Sequence, residues 1–240
     1  MDKTFSEFRR DFDLMYNNIS NAAAPGYTDD EIWQMAQIAT EKVCLSVYDG
    51  TLKANGFEVT EEVTSYINGL TKQIVFQTRT EGTSITENDN NYYFNEDKSK
   101  TILDIQEEDF GFYSKICELA TDFWFIVYES VKLKESDDCF NGKTITVKPV
   151  THDSLYRIMQ NPFVGRNFNY ALRLLTDNKV ELITYKHEID KYLVRYMSKP
   201  KFFTGELINN NDKILEDIND SLYIVIMEQT VNIAKTIWAS

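Results

Sequence analysis

Residues 170–200 read YALRLLTDNKVELITYKHEIDKYLVRYMSKP, and three runs in this stretch, 170–175, 180–185 and 189–197, are rich in apolar, β-branched and aromatic residues. Runs of this length and composition, bounded by turn-forming residues, predict strands. Asp177-Asn178 predicts the first turn, and Lys199-Pro200 closes the last strand because proline cannot donate within a ladder. The stretch is therefore expected to form a three-stranded meander. Along its last run Lys191 and Arg195 share one face with Leu193 and Met197, while Tyr192, Val194 and Tyr196 face the other way. One face of this sheet should be basic.

Working outward, residues 123–134 are aromatic and β-branched, and residues 143–150 alternate Ile145 and Val147 with polar neighbours. The two are expected to pair as a long hairpin across 135–142. Thr151 then caps a short predicted helix through Met159, stopped by Asn161-Pro162. Residues 74–78 read as a strand, preceded by a helix from Thr60 to about Lys72, and residues 80–100 read as a polar surface loop broken by Tyr92, Tyr93 and Phe94.

The ends of the chain are helical in pattern. Phe5, Phe8, Phe12 and Met15 predict an amphipathic helix that stops before Asn17. Thr28-Asp29-Asp30-Glu31 is a capping box, and Ile32, Met35, Ala36, Ala39, Val43 and Val47 make one buried face behind it, ending at Asp49-Gly50. Asp220 can cap a final helix whose apolar face is Leu222, Val225, Ile226, Ile233 and Ile237, closed by Trp238. The fold class is α+β: N-terminal helices, an antiparallel sheet region with a long hairpin and a meander, and a C-terminal helix. A length of 240 residues suits one structural domain, with about 74–150 as an insertion or lobe.

A hydrophobic content of 42%, with 14 Tyr and 15 Phe, supplies a packed core. The formal net charge of −13 gives an averaged field that repels phosphate backbones, which disfavours a general nucleic-acid binder. Cys44, Cys117 and Cys139 are widely spaced and odd in number, so no disulfide framework or zinc site is expected. The start MDKTFSEFRRDFD carries acids from its second residue and lacks the apolar core of a signal peptide. No stretch approaches the ~18 consecutive apolar residues of a membrane span.

Catalytic patterns are missing from the chain: there is no G-x-S-x-G, H-E-x-x-H, Walker lysine loop or G-x-G-x-x-G. His152 and His187 stand in cap and turn positions. Paired carboxylates can hold Mg²⁺ or act as acid and base on a glycoside, and three acidic runs offer them. Asp29-Asp30-Glu31 is accounted for by capping, and Asp137-Asp138 by a solvated hairpin loop. Glu107, Glu108 and Asp109 are the least explained, and no catalytic metal is expected there. No catalytic, cofactor or metal residue is assigned. A carboxylate-dependent hydrolase and a non-ring adaptor or cargo protein remain the competing readings.

Basic residues cluster in the meander and its flank, among them Arg157, Arg166, Arg173, Lys179, Lys191, Arg195 and Lys199. Either this is a solvated outer face, or it is an intersubunit seam that meets acidic helices of a neighbouring copy. The connection from Asn17 to Tyr27 is the other candidate interface. Its three alanines lose almost no side-chain entropy when pinned, and Asn17, Asn18 and Ser20 before Pro25 can satisfy exposed main chain. An ordinary helix-to-helix loop is the alternative.

Residues 14–28, LMYNNISNAAAPGYT, with the amphipathic helix behind them, resemble the opening of structural ring proteins of crAss-like phages. The blocks SLYRIMQNPF at 154–163, VELI at 180–183 and YLVRYMSKP at 192–200 are similar too, as is Ser221-Leu222 entering a terminal helix. The resemblance covers both ends and the middle third, and leaves about 74–148 unmatched. It departs from the family where three alanines, in place of a Gln or Asn before Ala-Pro-Gly, precede Pro25. It implies a virion protein without catalytic residues, made in a bacterial host. Its copies would form a homo-oligomeric ring in the neck or tail, next to the portal protein and other ring proteins. Genomic DNA would pass through the channel without specific binding, and no membrane is involved.

Overall fold

The computed structural model describes residues 3–19, 26–49, 68–78, 92–95, 111–135, 142–163, 166–167, 169–203, 211–216 and 218–239. The chain divides into two compact units, Met1–Thr71 with Lys199–Ser240, and Lys72–Ser198.

The first unit is helical. Helix α1 (Phe5–Ile19) buries Phe5, Phe8, Phe12 and Tyr16, which recur at three and four residues. It opens on a box not read from the sequence: the Thr4 amide donates to Glu7 Oε2 at 3.1 Å and the Glu7 amide donates to Thr4 Oγ1 at 3.4 Å. The helix continues past the expected stop at Asn17. Asparagine in a helix costs only about 0.5 kcal/mol, too little to end it without a glycine or proline.

Helix α2 (Asp29–Tyr48) begins at the expected capping box, where the Thr28 amide donates to Glu31 Oε2 at 2.8 Å. It buries the whole expected face, with Thr40 and Cys44 added. A 3-10 turn at Asp220–Leu222 leads directly into the terminal helix, Tyr223–Ala239. This terminal helix packs on both α1 and α2. Its buried face is Leu222, Tyr223, Ile226, Met227, Val231 and Ala234, whereas Ile237, expected on that face, and Trp238, expected to close its end, are 55% and 48% exposed. Phe202 fills the space beside Phe8, with ring centroids 4.7 Å apart. Main-chain bonds from Phe5 to Asp212 at 3.0 Å and from Ile214 to Lys3 at 3.1 Å stitch the two ends of the chain together.

The second unit is a sheet of eight strands: β1 (Thr71–Gln77), β2 (Tyr92–Tyr93), β3 (Phe112–Glu118), β4 (Phe123–Leu133), β5 (Thr144–Pro149), β6 (Tyr170–Thr176), β7 (Lys179–Tyr185) and β8 (Ile189–Ser198). Their order is β2-β1-β8-β4-β5-β6-β7-β3. The β4–β5 hairpin forms as expected, with Val131 opposite Ile145. The β6–β7 hairpin forms as well, turning at Asp177 with φ +56.

The third strand of the expected meander lies elsewhere. Strand β8 pairs with β4, while the free edge of β7 is taken by β3, a strand not read from the sequence. Polar Ser114 and Lys115 interrupt the alternation of β3, and a strand is recruited by its neighbours as much as by its own pattern. The expected helix before β1 is corrected at its end, where a 3-10 turn at Asn68–Leu70 leads directly into a strand from Thr71; residues 60–67 lie outside the described residues. Tyr92 and Tyr93, expected in a loop, run parallel to β1, and Phe94 is buried.

Asn95 bridges Ile116, so the two ends of the sheet meet and the sheet rolls around one interior. Phe76, Cys117, Val131, Ile145, Ala171, Leu182 and Tyr192 all pack in that interior. Helix α3 (Leu155–Gln160) covers the outside of β6 and β7 through Leu155 and Met159, and the terminal helix is α4. The cap position of α3 is Ser154, not Thr151, because residues 151–154 form a turn in which the Ser154 amide donates to the Thr151 carbonyl at 3.1 Å.

Candidate intersubunit surface

Strand β8 sets the geometry of the surface. Tyr192, Val194 and Tyr196 are buried in the interior, and Lys191 and Arg195 stand outside. Met197 departs from its expected outward place and is only 1% exposed. The antiparallel register puts Lys132 opposite Lys191 and Tyr128 opposite Arg195. A shift in that register between Ile126 and Tyr128 leaves both Val127 and Tyr128 exposed beside Arg195. Bulges commonly re-aim side chains in this way.

Arg195 is held from two sides. Its Nε donates to Gln73 Oε1 of β1 at 2.7 Å, and its guanidinium carbon lies 5.9 Å from the Tyr128 ring centroid. Among the described residues no acid pairs with Lys132, Lys191 or Arg195, whereas Lys134 reaches Glu188 at 2.8 Å and Lys199 reaches Glu41 at 3.1 Å. Like charges directly opposite in a sheet are destabilising. The Lys132–Lys191 pair is therefore a local cost with no compensating acid among the described residues.

Arg173, grouped with the basic outer face in the sequence, points into the interior instead. Its Nε lies 3.1 Å from Glu129 Oε1, with the two side chains 12% and 10% exposed. The contact is an ion pair without hydrogen-bond aim. The Tyr192 hydroxyl donates to the other oxygen of Glu129 at 2.8 Å. Burial pushes the Glu129 carboxyl up, against the opposing pull of Arg173 and Tyr192. Burial and the Glu129 charge push the Tyr192 phenol far up.

The remaining expected residues fall apart in space or lie outside the described residues. Arg157 is exposed on α3, which covers β6 and β7, while β8 is flanked by β1 and β4. Lys199 belongs to the helical unit. Asn17 is exposed and Asn18 lies within the last turn of α1; Ser20 and Pro25 lie outside the described residues. Glu107, Glu108, Asp109, Asp137, Asp138 and Cys139 lie outside them too.

Among the described residues no group of three His, Cys, Asp or Glu is placed to hold a metal. His152 is exposed, with Nε2 3.2 Å from Thr176 Oγ1, and the carbonyl of buried His187 accepts from Thr184 Oγ1 at 2.6 Å. Cys44 and Cys117 are buried free thiols, and burial pushes Cys44 up to about 12.

Sequence reasoning found Lys191 and Arg195 through alternation. It missed Gln73, Val127, Tyr128 and Lys132, because cross-strand register joins residues far apart in the chain.

Compared with known proteins, residues 3–238 match the family model described as phage tail ring protein 3/4, and this match runs through 74–148, which the resemblance left uncovered. Ring protein 3 of Bacteroides phage crAss001 is 30% identical over 203 residues, 82% of this chain and 76% of that protein. Ring protein 4/5 of the same phage is 24% identical over 247 residues, 96% of this chain and 91% of that protein.

Proposed function

This chain belongs to the phage tail ring protein 3/4 family, and on that premise we propose that it is a non-enzymatic structural subunit of a tailed-phage virion. Its copies close into a ring in the neck or tail that connects the portal protein to the tail around the DNA exit channel. The observation that carries the reading is the length of the family match, from residue 3 to 238, which includes both the helical and the sheet unit. A structural subunit needs both units for shape, whereas an enzyme needs a converging set of polar groups.

The charge balance supports the same reading. A net charge of −13 repels a passing duplex, so DNA moves through such a ring without specific binding. The charge is also unevenly spread, with cations on β8 and acids at the start of α2. Two unlike surfaces on one chain favour head-to-tail contacts, which close into a ring when the rotation allows. No helix among the described residues is long and apolar enough to cross a membrane.

Native mass spectrometry and negative-stain imaging of the purified chain test the proposal. The expected result is one fixed many-copy species with a central opening. A monomer at every concentration, or hydrolytic activity on a glycan or nucleic acid that is lost with a single carboxylate, overturns it.

A further inference from the structure

We infer that the outer face around Arg195, Lys191 and Lys132 seats the acidic corner of α1 and α2 of a second copy, the corner that carries Asp13, Asp29 and Asp30. The inference rests on the ring reading and names the contact by which the ring closes.

Three observations lead to it. First, Arg195 is pre-positioned. Gln73 and the Tyr128 ring hold its guanidinium, and no carboxylate among the described residues pairs with it. A side chain already ordered loses less freedom when a partner arrives. Second, Lys132 and Lys191 oppose one another across the β4–β8 ladder, a repulsion that an acidic partner would remove. Local rules are broken most often where function requires it. Third, the patch mixes these cations with exposed Val75, Val127 and Tyr128. Arginine and tyrosine at the centre of apolar surface are the residue types that dominate protein interfaces.

The occupant follows from charge. In the helical unit Arg9 pairs with both Asp13 and Asp29, which draws the acids of α1 and α2 into one corner. Asp30 is exposed beside them, and Glu31 closes the capping box. Arg10 beside it pairs with Asp11, so the corner holds more acids than Arg9 and Arg10 can balance, while the patch on β8 and β4 holds cations with no acid paired to them among the described residues. A duplex would also be attracted by cations, but it makes no use of the exposed Val75 and Val127, and the chain as a whole repels it.

Charge reversal separates the outcomes, because its effects on folding and on assembly have opposite signs. In Lys191→Glu the new carboxylate faces Lys132 across the ladder. The isolated subunit should therefore melt at a slightly higher temperature while the midpoint concentration for assembly rises tenfold or more. Arg195→Glu should raise that midpoint at least as far. Asp30→Arg in the same chain as Arg195→Glu should recover most of the loss.

Full-length variants are compared by thermal melting and by mass photometry across a dilution series, with duplex DNA binding measured alongside. Assembly of Lys191→Glu at the wild-type midpoint overturns the seam and leaves the ring reading intact. Assembly lost without recovery by Asp30→Arg overturns the acidic corner as occupant. Loss of duplex binding with assembly unchanged assigns the patch to DNA and overturns the proposal. A wild-type chain that never assembles removes the ring reading and the seam together.

Discussion

Glu129 shows what a single residue contributes inside the rolled sheet. Its carboxylate meets Arg173 of β6 and Tyr192 of β8, so three strands are tied through one buried group. Removing one partner of a buried ion pair leaves an uncompensated charge, and Arg173→Met should cost about 3–5 kcal/mol in urea unfolding. A loss below about 1 kcal/mol would mean that the pair is solvated. The pH dependence has a definite sign. Burial raises the Glu129 carboxyl above its ordinary 4.5 in the folded chain, so folding takes up a proton. Its contribution is largest below 4.5 and declines as pH rises toward the raised folded value. The stability of the wild type minus that of Glu129→Gln should therefore fall as pH rises above 4.5, and a flat difference would contradict the raised value.

At the scale of elements, the helices are local objects and the strands are not. The Thr28–Glu31 box lies within four residues, and both its reciprocal bonds form. Thr28→Ala should cost about 1 kcal/mol in thermal unfolding by leaving the Glu31 amide without its acceptor. No measurable change would show that α2 is held by packing alone. The apolar face of α2 was legible, and only Thr40 and Cys44 were missed on it, because a period near 3.6 projects straight onto burial. The two strand hairpins were legible for a similar reason, since a short connection restricts the partner. Strand β8 was legible as a strand and not as a neighbour. Its ten residues follow β7 closely in the chain, yet its ladder is with β4, more than sixty residues upstream by the Tyr128–Arg195 register. Hydrophobic alternation fixes which face is buried and carries no information about which edge is paired.

For the whole molecule, the connection that follows Ile19 and ends at Tyr27, expected to begin at Asn17, is proposed as a second contact with a neighbouring copy. Its amides should exchange slowly in the assembled state and fast in the isolated subunit, and equal protection in both would make it an ordinary loop. Residues along one chain segment determined much of this protein: the α+β class, the two capping-box and amphipathic α2 features, the alternation that puts Lys191 and Arg195 outside, and the family resemblance. Those readings rest on short-range periodicity and on end effects within a few residues. Only the tertiary structure decided that β3 joins β7, that Arg173 turns inward to Glu129, and that Gln73 and Tyr128 hold Arg195. These contacts bring together residues from different strands, and their energies depend on burial and register that exist only once the sheet has rolled.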